Sequence, residues 1–224
     1  MFNVDSQVRN LDLDFIRAEL SAAILSDCLD ERGLRNQCLA SGINPLVPGT
    51  SVVGYAFTVE SQRVPGVPET PFLGLLSALD SIGRDEVFVT PTRRAVDMAV
   101  WGELVSTACK QRGAAGALTD GKIRDTPAVR RLNFPVASTG TVPYDSLGRH
   151  EIVAQQVEIE IDGVTIRPGD LIVADDDGVV IVPSEIAADI VREAAEKRAA
   201  EKEFRAAVAE GMGATEAFTT FGVL

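Results

Sequence analysis

The sequence predicts an α/β fold in which a parallel core is followed by antiparallel hairpins. In the middle of the chain, short apolar runs alternate with segments of helical periodicity, as in parallel strands joined by helical crossovers. After Gly140 the pattern changes to two-residue alternation, broken by strong turns such as Asp162-Gly163. The chain then carries an alanine-rich segment of helical spacing at 184–210.

The N-terminal part of the chain is expected to supply one helix, one strand and a loop. Residues 11–32 place apolar side chains at helical spacing, and Gly33 offers a stop. Alternating apolar residues predict a strand at 51–60. The stretch 63–71 is rich in Pro and Gly and has no periodic signal, so we expect a loop there, near a site.

Six short segments predict the parallel core. Apolar runs indicate strands, and apolar residues three or four positions apart indicate helices. Residues 95–100 fit neither pattern clearly. We expect helices at 71–82, 102–111 and 126–132, and strands at 86–90, 115–119 and 135–138.

The C-terminal part is predicted to form antiparallel structure and one long helix. Residues 152–161 alternate as a strand, and Asp162-Gly163 predicts the turn of a hairpin. A second hairpin is expected from the apolar runs at 171–174 and 179–182. The helix at 184–210 would be about 40 Å long at ~1.5 Å per residue. Its end is therefore expected to lie against another subunit.

Composition and charge narrow the possible classes of function. With 21 basic and 33 acidic residues the formal net charge is -12, which repels phosphate backbones, so no nucleic-acid partner is expected. Cys28, Cys38 and Cys109 show neither metal-ligand spacing nor an even disulfide framework, which favours a cytoplasmic protein. The first residues lack the basic start and the apolar core of a secretory signal, and no run of ~18 apolar residues predicts a membrane span.

Two strand-to-helix connections carry polar residues suited to chemistry. Ligands of open parallel sheets bind at the carboxyl ends of the strands. The helix start Gly102-Glu103-Leu104-Val105 offers free backbone amides that can hold a carboxylate. The stretch 120–125 follows the predicted strand 115–119, so the two loops share one cleft if the strands are neighbours.

The residues of this cleft suggest enolate chemistry. Arg124 can bind a carboxylate or keto oxygen, while Asp125, Asp120 or Glu103 can hold a divalent cation. Magnesium keeps several waters and takes one or two protein carboxylates, so a sparse set of acids suffices. A metal and an arginine together would polarise a ketone oxygen. On spacing alone, a solvated turn with a salt bridge remains the default interpretation.

Two other side chains offer different chemistry. Lys122 could act as a Schiff-base nucleophile, although a solvated lysine is the more common outcome. His150 is the only histidine, so any histidine-based acid/base catalysis depends on it, and a polar loop position is the alternative.

A resemblance to a known family favours the metal-dependent interpretation. Glu103 and the Arg124-Asp125 pair stand at the spacing found in class II 4-hydroxy-4-methyl-2-oxoglutarate/4-carboxy-4-hydroxy-2-oxoadipate aldolases, which belong with the regulators of ribonuclease activity A. Further blocks resemble that family along nearly the whole chain, so we expect a single domain of this kind over residues 1–224. These blocks are Ser26-Asp27, residues 46–53, Trp101-Gly102-Glu103-Leu104, Arg112-Gly113, Asp120-Gly121, Pro168-Gly169-Asp170 and residues 174–180.

The resemblance implies an α/β/β sandwich of the swivelling β/β/α type, assembled as a homotrimer or a dimer of trimers with sites between subunits. It implies that Asp125 binds Mg²⁺ or Mn²⁺, with Glu103 acting through metal-bound water. Arg124 would contact the pyruvyl oxygens, and the amides of Leu104 and Val105 would hold the carboxylate. Glu203 from the C-terminal helix of a neighbouring subunit is a candidate to complete the site.

The implied activity is retro-aldol cleavage or decarboxylation of a 2-oxo acid through a pyruvate enolate. Suitable substrates are 4-hydroxy-4-methyl-2-oxoglutarate and oxaloacetate. Two departures leave the substrate open, because no acid follows soon after Asp125 and the stretch 140–149 lacks the lysine common in relatives. The alternatives are a non-enzymatic regulator that binds and inhibits a ribonuclease, and a Schiff-base aldolase that uses Lys122.

Overall fold

The protein is built around a mixed sheet of eight strands. The computed structural model describes residues 10–40 and 42–224. The helices are α1 (Leu13–Glu19), α2 (Ala22–Glu31), α3 (Leu73–Ser81), α4 (Glu103–Gln111), α5 (Thr126–Leu132), α6 (Ala187–Ala209) and α7 (Ala214–Phe221). The strands are β1 (Asn44–Pro45), β2 (Val52–Arg63), β3 (Glu86–Thr90), β4 (Ala99–Trp101), β5 (Gly116–Thr119), β6 (Lys122–Ile123), β7 (Val136–Ser138), β8 (His150–Gln155), β9 (Ile159–Ile161), β10 (Val164–Ile166), β11 (Leu171–Asp175) and β12 (Gly178–Val182).

The predicted parallel core is confirmed. The strand order is β1-β7-β5-β3-β2-β11-β12, in which β2, β3, β5 and β7 run parallel and β11 and β12 complete the sheet in antiparallel orientation. The long strand β2 pairs with β3 through its first half and with β8 through its second half. Each crossover between neighbouring parallel strands contains a helix, as the alternation in the sequence predicts.

The two faces of the sheet are covered by different layers. On β2, Val53, Tyr55 and Phe57 point towards the helices, while Val52 and Ala56 point to the opposite face, as the two-residue period of a strand requires. Helices α1, α2 and α6 cover the antiparallel end of the first face, and α3, α4 and α5 cover its parallel end.

The opposite face carries a second β layer, which confirms the predicted α/β/β sandwich. The β9–β10 hairpin turns at Asp162-Gly163 as predicted and packs four buried side chains on the sheet. These side chains are Ile159, Ile161, Val164 and Ile166. Because both faces are covered, the central strands are nearly continuous apolar runs.

The prediction of one N-terminal helix is wrong. Leu20 adopts an extended backbone, and the Ser21 hydroxyl caps a second helix by accepting a hydrogen bond from the amide of Ile24 at 3.3 Å. The apolar spacing continues across the break because α1 and α2 both pack on the same face of the sheet. The helical periodicity of the apolar residues therefore gives no sign of the break between α1 and α2, which only the Ser21 cap marks.

The C-terminal predictions are corrected in two places. The alternating segment 152–161 is two strands, β8 and β9, interrupted where Gln156 takes a left-handed backbone with φ 55°. The long helix is confirmed as α6, preceded by a 3₁₀ turn at Ser184–Ile186, but α7 follows it and was not predicted. Within the chain α6 packs on α2 through its buried face and by ion pairs such as Arg32–Glu193. Its packing on a neighbouring subunit stays a prediction.

A row of aromatic rings connects the sheet to the crossover helices. Phe57 and Phe88 lie on neighbouring parallel strands with ring centroids 5.7 Å apart. Trp101 follows at 5.2 Å from Phe88, and Phe134 stacks on Trp101 at 6.3 Å. The Trp101 indole also donates to the Ser106 hydroxyl at 2.8 Å. These contacts hold the start of α4 firmly on the sheet.

The helices of the described residues include none with the length and apolar character required to span a membrane.

Candidate active site

Two consecutive strand-to-helix connections meet at one corner of the molecule. Strands β4 and β6 are parallel neighbours, with Ala99 opposite Lys122 and Trp101 opposite Ile123. The amide of Arg124 donates to the carbonyl of Trp101 at 2.9 Å. The beginning of α4 and the Arg124-Asp125 pair therefore lie side by side. The sequence predicts this arrangement if the two strands are neighbours, because the two loops then share one cleft.

The first half of the corner is the start of α4. The amide of Ser106 makes the first helical hydrogen bond, to the carbonyl of Gly102 at 3.1 Å. The preceding amides of Glu103, Leu104 and Val105 have no partner within the helix, and they carry the positive end of the helix dipole. Leu104 is 80% exposed, and because its side chain carries no hydrogen-bond donor, its backbone amide is the group that can bind an anion. An anion of carboxylate size fits this position.

Gly102 makes the close approach of the two halves possible. A Cβ atom at this position would lie 2.8 Å from Oδ2 of Asp125 and 3.3 Å from Cγ of Arg124. The backbone of Gly102 is extended, so it is the missing side chain rather than a left-handed conformation that matters here. Any larger residue would press directly on the Asp125 carboxylate.

Asp125 combines a strained backbone with an uncommitted carboxylate. It takes a left-handed conformation, with φ 57° and ψ 27°, which is uncommon for residues other than glycine. It occupies the N-cap position of α5, yet its side chain makes no capping hydrogen bond. The carboxylate is 48% exposed instead and lies over Gly102. Strain of this kind is typical of functional positions, and the free oxygens can accept a cation.

Arg124 lies between two acids. Its Nε is 3.7 Å from Oδ2 of Asp125, and its Nη2 is 3.6 Å from Oδ1 of Asp145. Both distances exceed a hydrogen bond, so the guanidinium keeps its donors for a ligand while the charges of the acids orient it. Asp145 belongs to the segment 141–149, which crosses the corner, and it was not predicted as a site residue from the sequence. The signal that could have found it is an acid shortly after the strand β7 that neighbours β5.

Glu103 stands at the beginning of α4 with its carboxylate turned along the helix. Its Oε1 accepts a hydrogen bond from the Thr107 hydroxyl at 3.0 Å. One side of the carboxylate is thus oriented and the other remains available, which suits a residue expected to act through water. An acid in the first turn also stabilises the helix through its dipole.

Asp120 is committed to the fold. Its side chain is buried, Oδ1 accepts from the amide and the hydroxyl of Thr92, and Oδ2 accepts from the amide of Arg94 at 2.9 Å. These bonds fasten a loop in which Arg93 and Arg94 both have left-handed backbones, with φ 54° and 55°. Such a carboxylate has little capacity left for a metal ion.

We expect Asp120→Asn to lower the free energy of unfolding by about 2 to 3 kcal/mol, because the amide NH₂ group would face a backbone donor that the carboxylate now accepts. Urea denaturation measures this loss. Asp14→Asn is the control, since the Asp14 side chain is 95% exposed and its replacement removes the same charge from the surface. Unchanged stability together with lost metal affinity would instead identify Asp120 as a ligand.

The remaining candidates lie in different settings. The Nζ atom of Lys122 donates to the carbonyl of Thr139 at 2.6 Å, which ties β6 to the segment that follows β7. Glu203 is an exposed residue of α6. Whether a neighbouring subunit brings its own Glu203 to this corner stays a prediction.

His150 lies in a separate cavity of about 940 Å³, which is lined by Asp120 and the arginines at 63, 93 and 94 but not by Arg124 or Asp125. The imidazole is buried, and this burial, helped by the charge of Arg63, lowers the pKa of His150 to about 4, although Asp120 opposes the shift. His150 is therefore neutral in the folded protein near neutral pH. It takes no part in the geometry of the corner described above.

The lowered pKa of His150 predicts a pH dependence of stability. Between pH 6.5 and 4 the unfolded chain binds more protons than the folded chain, so acidification favours unfolding. We expect the free energy of unfolding to fall by about 2 kcal/mol more in the native protein than in His150→Asn between about pH 7.5 and about pH 5. Urea denaturation at several pH values measures the two slopes, and parallel slopes would contradict the prediction.

The donor set at the corner fits a hard divalent cation. Among residues 10–40 and 42–224, no three His, Cys, Asp or Glu side chains gather closely enough to enclose a metal. Mg²⁺ does not require such a cage, because it commonly binds one or two carboxylates and keeps its remaining waters. Asp125 would supply the direct ligand, and Glu103, at the adjacent helix start, would hold a water.

Comparison with known proteins decides the family. The family model described as RraA-like, Aldolase/RraA, matches residues 22–181, which include the whole parallel core and both halves of the corner. The chain belongs to the RraA-like family. Its match contains Glu103, Arg124 and Asp125, so the family resemblance and the observed geometry concern the same residues.

Three relatives show the range of this RraA-like family. The protein is 34% identical to "Putative 4-hydroxy-4-methyl-2-oxoglutarate aldolase" of Halalkalibacterium halodurans, over 92% of this chain and 94% of that protein. It is 31% identical to Protein DlpA of Legionella pneumophila, but it spans only 31% of DlpA's length while 85% of this chain is covered.

The third relative is a solved structure. The RraAS2 protein of Streptomyces coelicolor, described as an unusual member of the RNase ES inhibitor RraA family, superposes with a TM-score of 0.76 at 31% identity. The superposition covers 90% of this chain and 96% of RraAS2. The names of these relatives thus refer to a putative aldolase and to the family of a ribonuclease inhibitor.

Proposed function

We propose that this RraA-like protein is a divalent-metal-dependent lyase that cleaves or decarboxylates a 2-oxo acid through a pyruvate enolate. The observation that carries the proposal is the close approach at Gly102. There the start of α4, with its free amides, lies beside the carboxylate of Asp125 and the side chain of Arg124. Anion-binding amides, an arginine whose ion pairs are longer than hydrogen bonds and a carboxylate without a capping hydrogen bond are the three groups that a 2-oxo acid and its metal need.

Each group has a defined task in this proposal. The amides of Leu104 and Val105 bind the substrate carboxylate, which the positive end of α4 attracts. The Arg124 guanidinium donates to the 2-oxo oxygen and stabilises the negative charge that develops there. Asp125 and Glu103 would hold Mg²⁺ or Mn²⁺, which as a Lewis acid polarises the same oxygen.

The bond changes follow from this arrangement. In retro-aldol cleavage the C3–C4 bond breaks, its electron pair moves into the C2–C3 enolate, and the 4-hydroxyl loses its proton as an aldehyde or ketone forms. In decarboxylation of oxaloacetate the bond to the departing carboxylate supplies the same electron pair. Protonation of the enolate at C3 gives pyruvate in both reactions, so Arg124 serves both.

The first test measures pyruvate directly. Purified protein is incubated with Mg²⁺ and either 4-hydroxy-4-methyl-2-oxoglutarate or oxaloacetate, with and without a chelator. We expect chelator-sensitive pyruvate formation, and a loss of about 10²- to 10³-fold in kcat/KM for Arg124→Ala. Arg167→Ala is the control, because Arg167 is an exposed residue paired with Glu158 on the β9–β10 side. Equal activity in Arg124→Ala and Arg167→Ala would contradict the proposal.

The likeness to RraAS2 supports a second candidate, a protein that binds and inhibits a ribonuclease. This role would use the surface of the folded protein and would not need the corner. A ribonuclease pull-down that survives Asp125→Ala, in a protein without pyruvate-forming activity, would favour it. The Schiff-base alternative predicts borohydride trapping of substrate on Lys122, whose amine is engaged by Thr139.

A further inference from the structure

A buried chain of hydrogen bonds connects Trp101 to the start of α4. The indole Nε1 of Trp101 donates to the Ser106 hydroxyl at 2.8 Å, and that hydroxyl donates to the carbonyl of Gly102 at 2.8 Å. Trp101 is 3% exposed and Ser106 is fully buried, so water does not compete for either bond. Because an indole N–H can only donate and a carbonyl can only accept, the direction of the chain is fixed.

The chain ends on the peptide unit that opens the candidate carboxylate site. The Gly102 carbonyl accepts from both the hydroxyl and the amide of Ser106, the latter at 3.1 Å. This carbonyl and the amide of Glu103 belong to one planar unit and point in opposite directions. Fixing the carbonyl therefore fixes the direction of the Glu103 amide, the first of the free amides of α4. The amides of Leu104 and Val105 follow in the same turn.

The N-cap residue of α4 cannot perform this task itself. A Ser, Thr, Asp or Asn at the N-cap orients the first turn of a helix, but its side-chain oxygen also occupies one of the free amides. Gly102 has no side chain and makes no capping bond, so the amides stay open to a ligand. Ser106 holds the same turn from its buried side and leaves the open side free.

We infer that Ser106 is a positioning residue, which keeps the α4 amides directed at the carboxylate of a 2-oxo acid. The inference rests on the proposed function, because it assumes that the substrate carboxylate binds those amides. This carboxylate keeps its charge from substrate to transition state, so misdirected amides weaken both states alike and raise KM more than they lower kcat. Arg124 would instead act on the oxygen where charge develops, so its loss lowers kcat.

Ser106→Ala removes the hydroxyl and introduces a residue that suits a helix. We expect the Kd of pyruvate, from isothermal titration calorimetry with Mg²⁺, and the KM for oxaloacetate to rise about tenfold, since one charge-assisted hydrogen bond is misaligned. The value of kcat should change by less than about threefold. Mn²⁺ affinity should change by less than about twofold, because the Asp125 backbone is held independently by the amides of Ala128 and Val129.

Thr58→Val is the matched control. Thr58 is also fully buried, and its hydroxyl donates to the carbonyl of Val157, between β8 and β9. The control loses the same kind of hydrogen bond, urea denaturation compares the stability of the two variants, and KM and pyruvate affinity should stay at their native values. The inference is overturned if Thr58→Val raises KM as far as Ser106→Ala does, or if Ser106→Ala lowers kcat and Mn²⁺ affinity as strongly as it raises KM.

A double variant covers the case in which Ser106→Ala is too unstable to assay. Combining it with Trp101→Phe removes the indole donor as well, so no buried N–H is left without an acceptor. We expect the double variant to show the same rise in KM and in the Kd of pyruvate. Native values of both in a folded double variant would contradict the inference.

Pyruvate binding and pyruvate formation separate this inference from the proposed function. Weaker pyruvate binding in Ser106→Ala, when native protein forms no pyruvate from oxaloacetate or 4-hydroxy-4-methyl-2-oxoglutarate, would overturn the lyase and leave the role of Ser106 standing. Chelator-sensitive pyruvate formation with an unchanged KM and pyruvate Kd in Ser106→Ala would overturn the role of Ser106 alone. A native protein that neither binds nor forms pyruvate would overturn both.

Discussion

Replacing Asp125 with asparagine is expected to abolish magnesium-dependent pyruvate formation, with a fall in kcat/KM of about 10³-fold or more. The carboxylate of Asp125 is exposed, uncapped and held over Gly102 by a left-handed backbone. An asparagine keeps the shape and tolerates the same backbone, but it loses the charge that a hard cation requires. A loss of this size corresponds to about 4 kcal/mol of transition-state stabilisation.

Two measurements distinguish the loss of a metal ligand from a loss of stability. Titration of Mn²⁺, followed by electron paramagnetic resonance, should show weakened metal binding in Asp125→Asn. Urea denaturation should show little change, because the Asp125 side chain makes no capping hydrogen bond that the variant could lose. Asp14→Asn serves as the surface control. Metal binding and activity that both persist in Asp125→Asn would exclude Asp125 as the ligand and with it the proposed metal site.

Adding a single methyl group at Gly102 should also lower kcat/KM strongly. In Gly102→Ala the new Cβ would lie 2.8 Å from Oδ2 of Asp125, closer than van der Waals contact allows. Either the carboxylate or the start of α4 must then move, and a displacement of about 1 Å in a catalytic group costs about 10²-fold in rate. We expect kcat/KM to fall by about that factor and metal affinity to weaken with it.

Gly213→Ala is a matched control for this substitution. Gly213 precedes α7, has φ -65°, and a Cβ there would meet nothing within 4 Å. The two variants add the same atom, at a crowded and at an open helix start respectively. Normal activity and metal affinity in Gly102→Ala would mean that Asp125 does not work from the position observed beside Gly102.

Much of the fold could be predicted because each element carries its own local signal. The crossover segments at 102–111 and 126–132 have helical spacing, and Asp162-Gly163 is a turn that few other conformations accommodate. The break at Leu20-Ser21 could not be predicted in the same way. The sheet buries the apolar side chains of both α1 and α2, so the periodicity continues through a cap that only the Ser21 hydroxyl marks.

The candidate site was predicted in part for a related reason. Glu103 and the Arg124-Asp125 pair each follow a parallel strand, and topology alone brings the ends of neighbouring strands together. Asp120 shares that location but was not separable from Asp125 by sequence, because its burial depends on the Thr92 loop. Asp145 depends on the path of an irregular segment, which no periodic pattern describes.

The attachment of β8 has a consequence for how such a protein can diversify. Strand β8 pairs with the second half of β2, at Val59–Arg63, and not with the parallel strands that carry Arg124 and Asp125. The segment that presents Asp145 therefore ends on a different part of the sheet from the groups proposed to stabilise the enolate. Mutation could exchange what lies opposite Arg124 while the corner of the proposed function stays intact. New substrates would then require a new segment rather than a new catalyst.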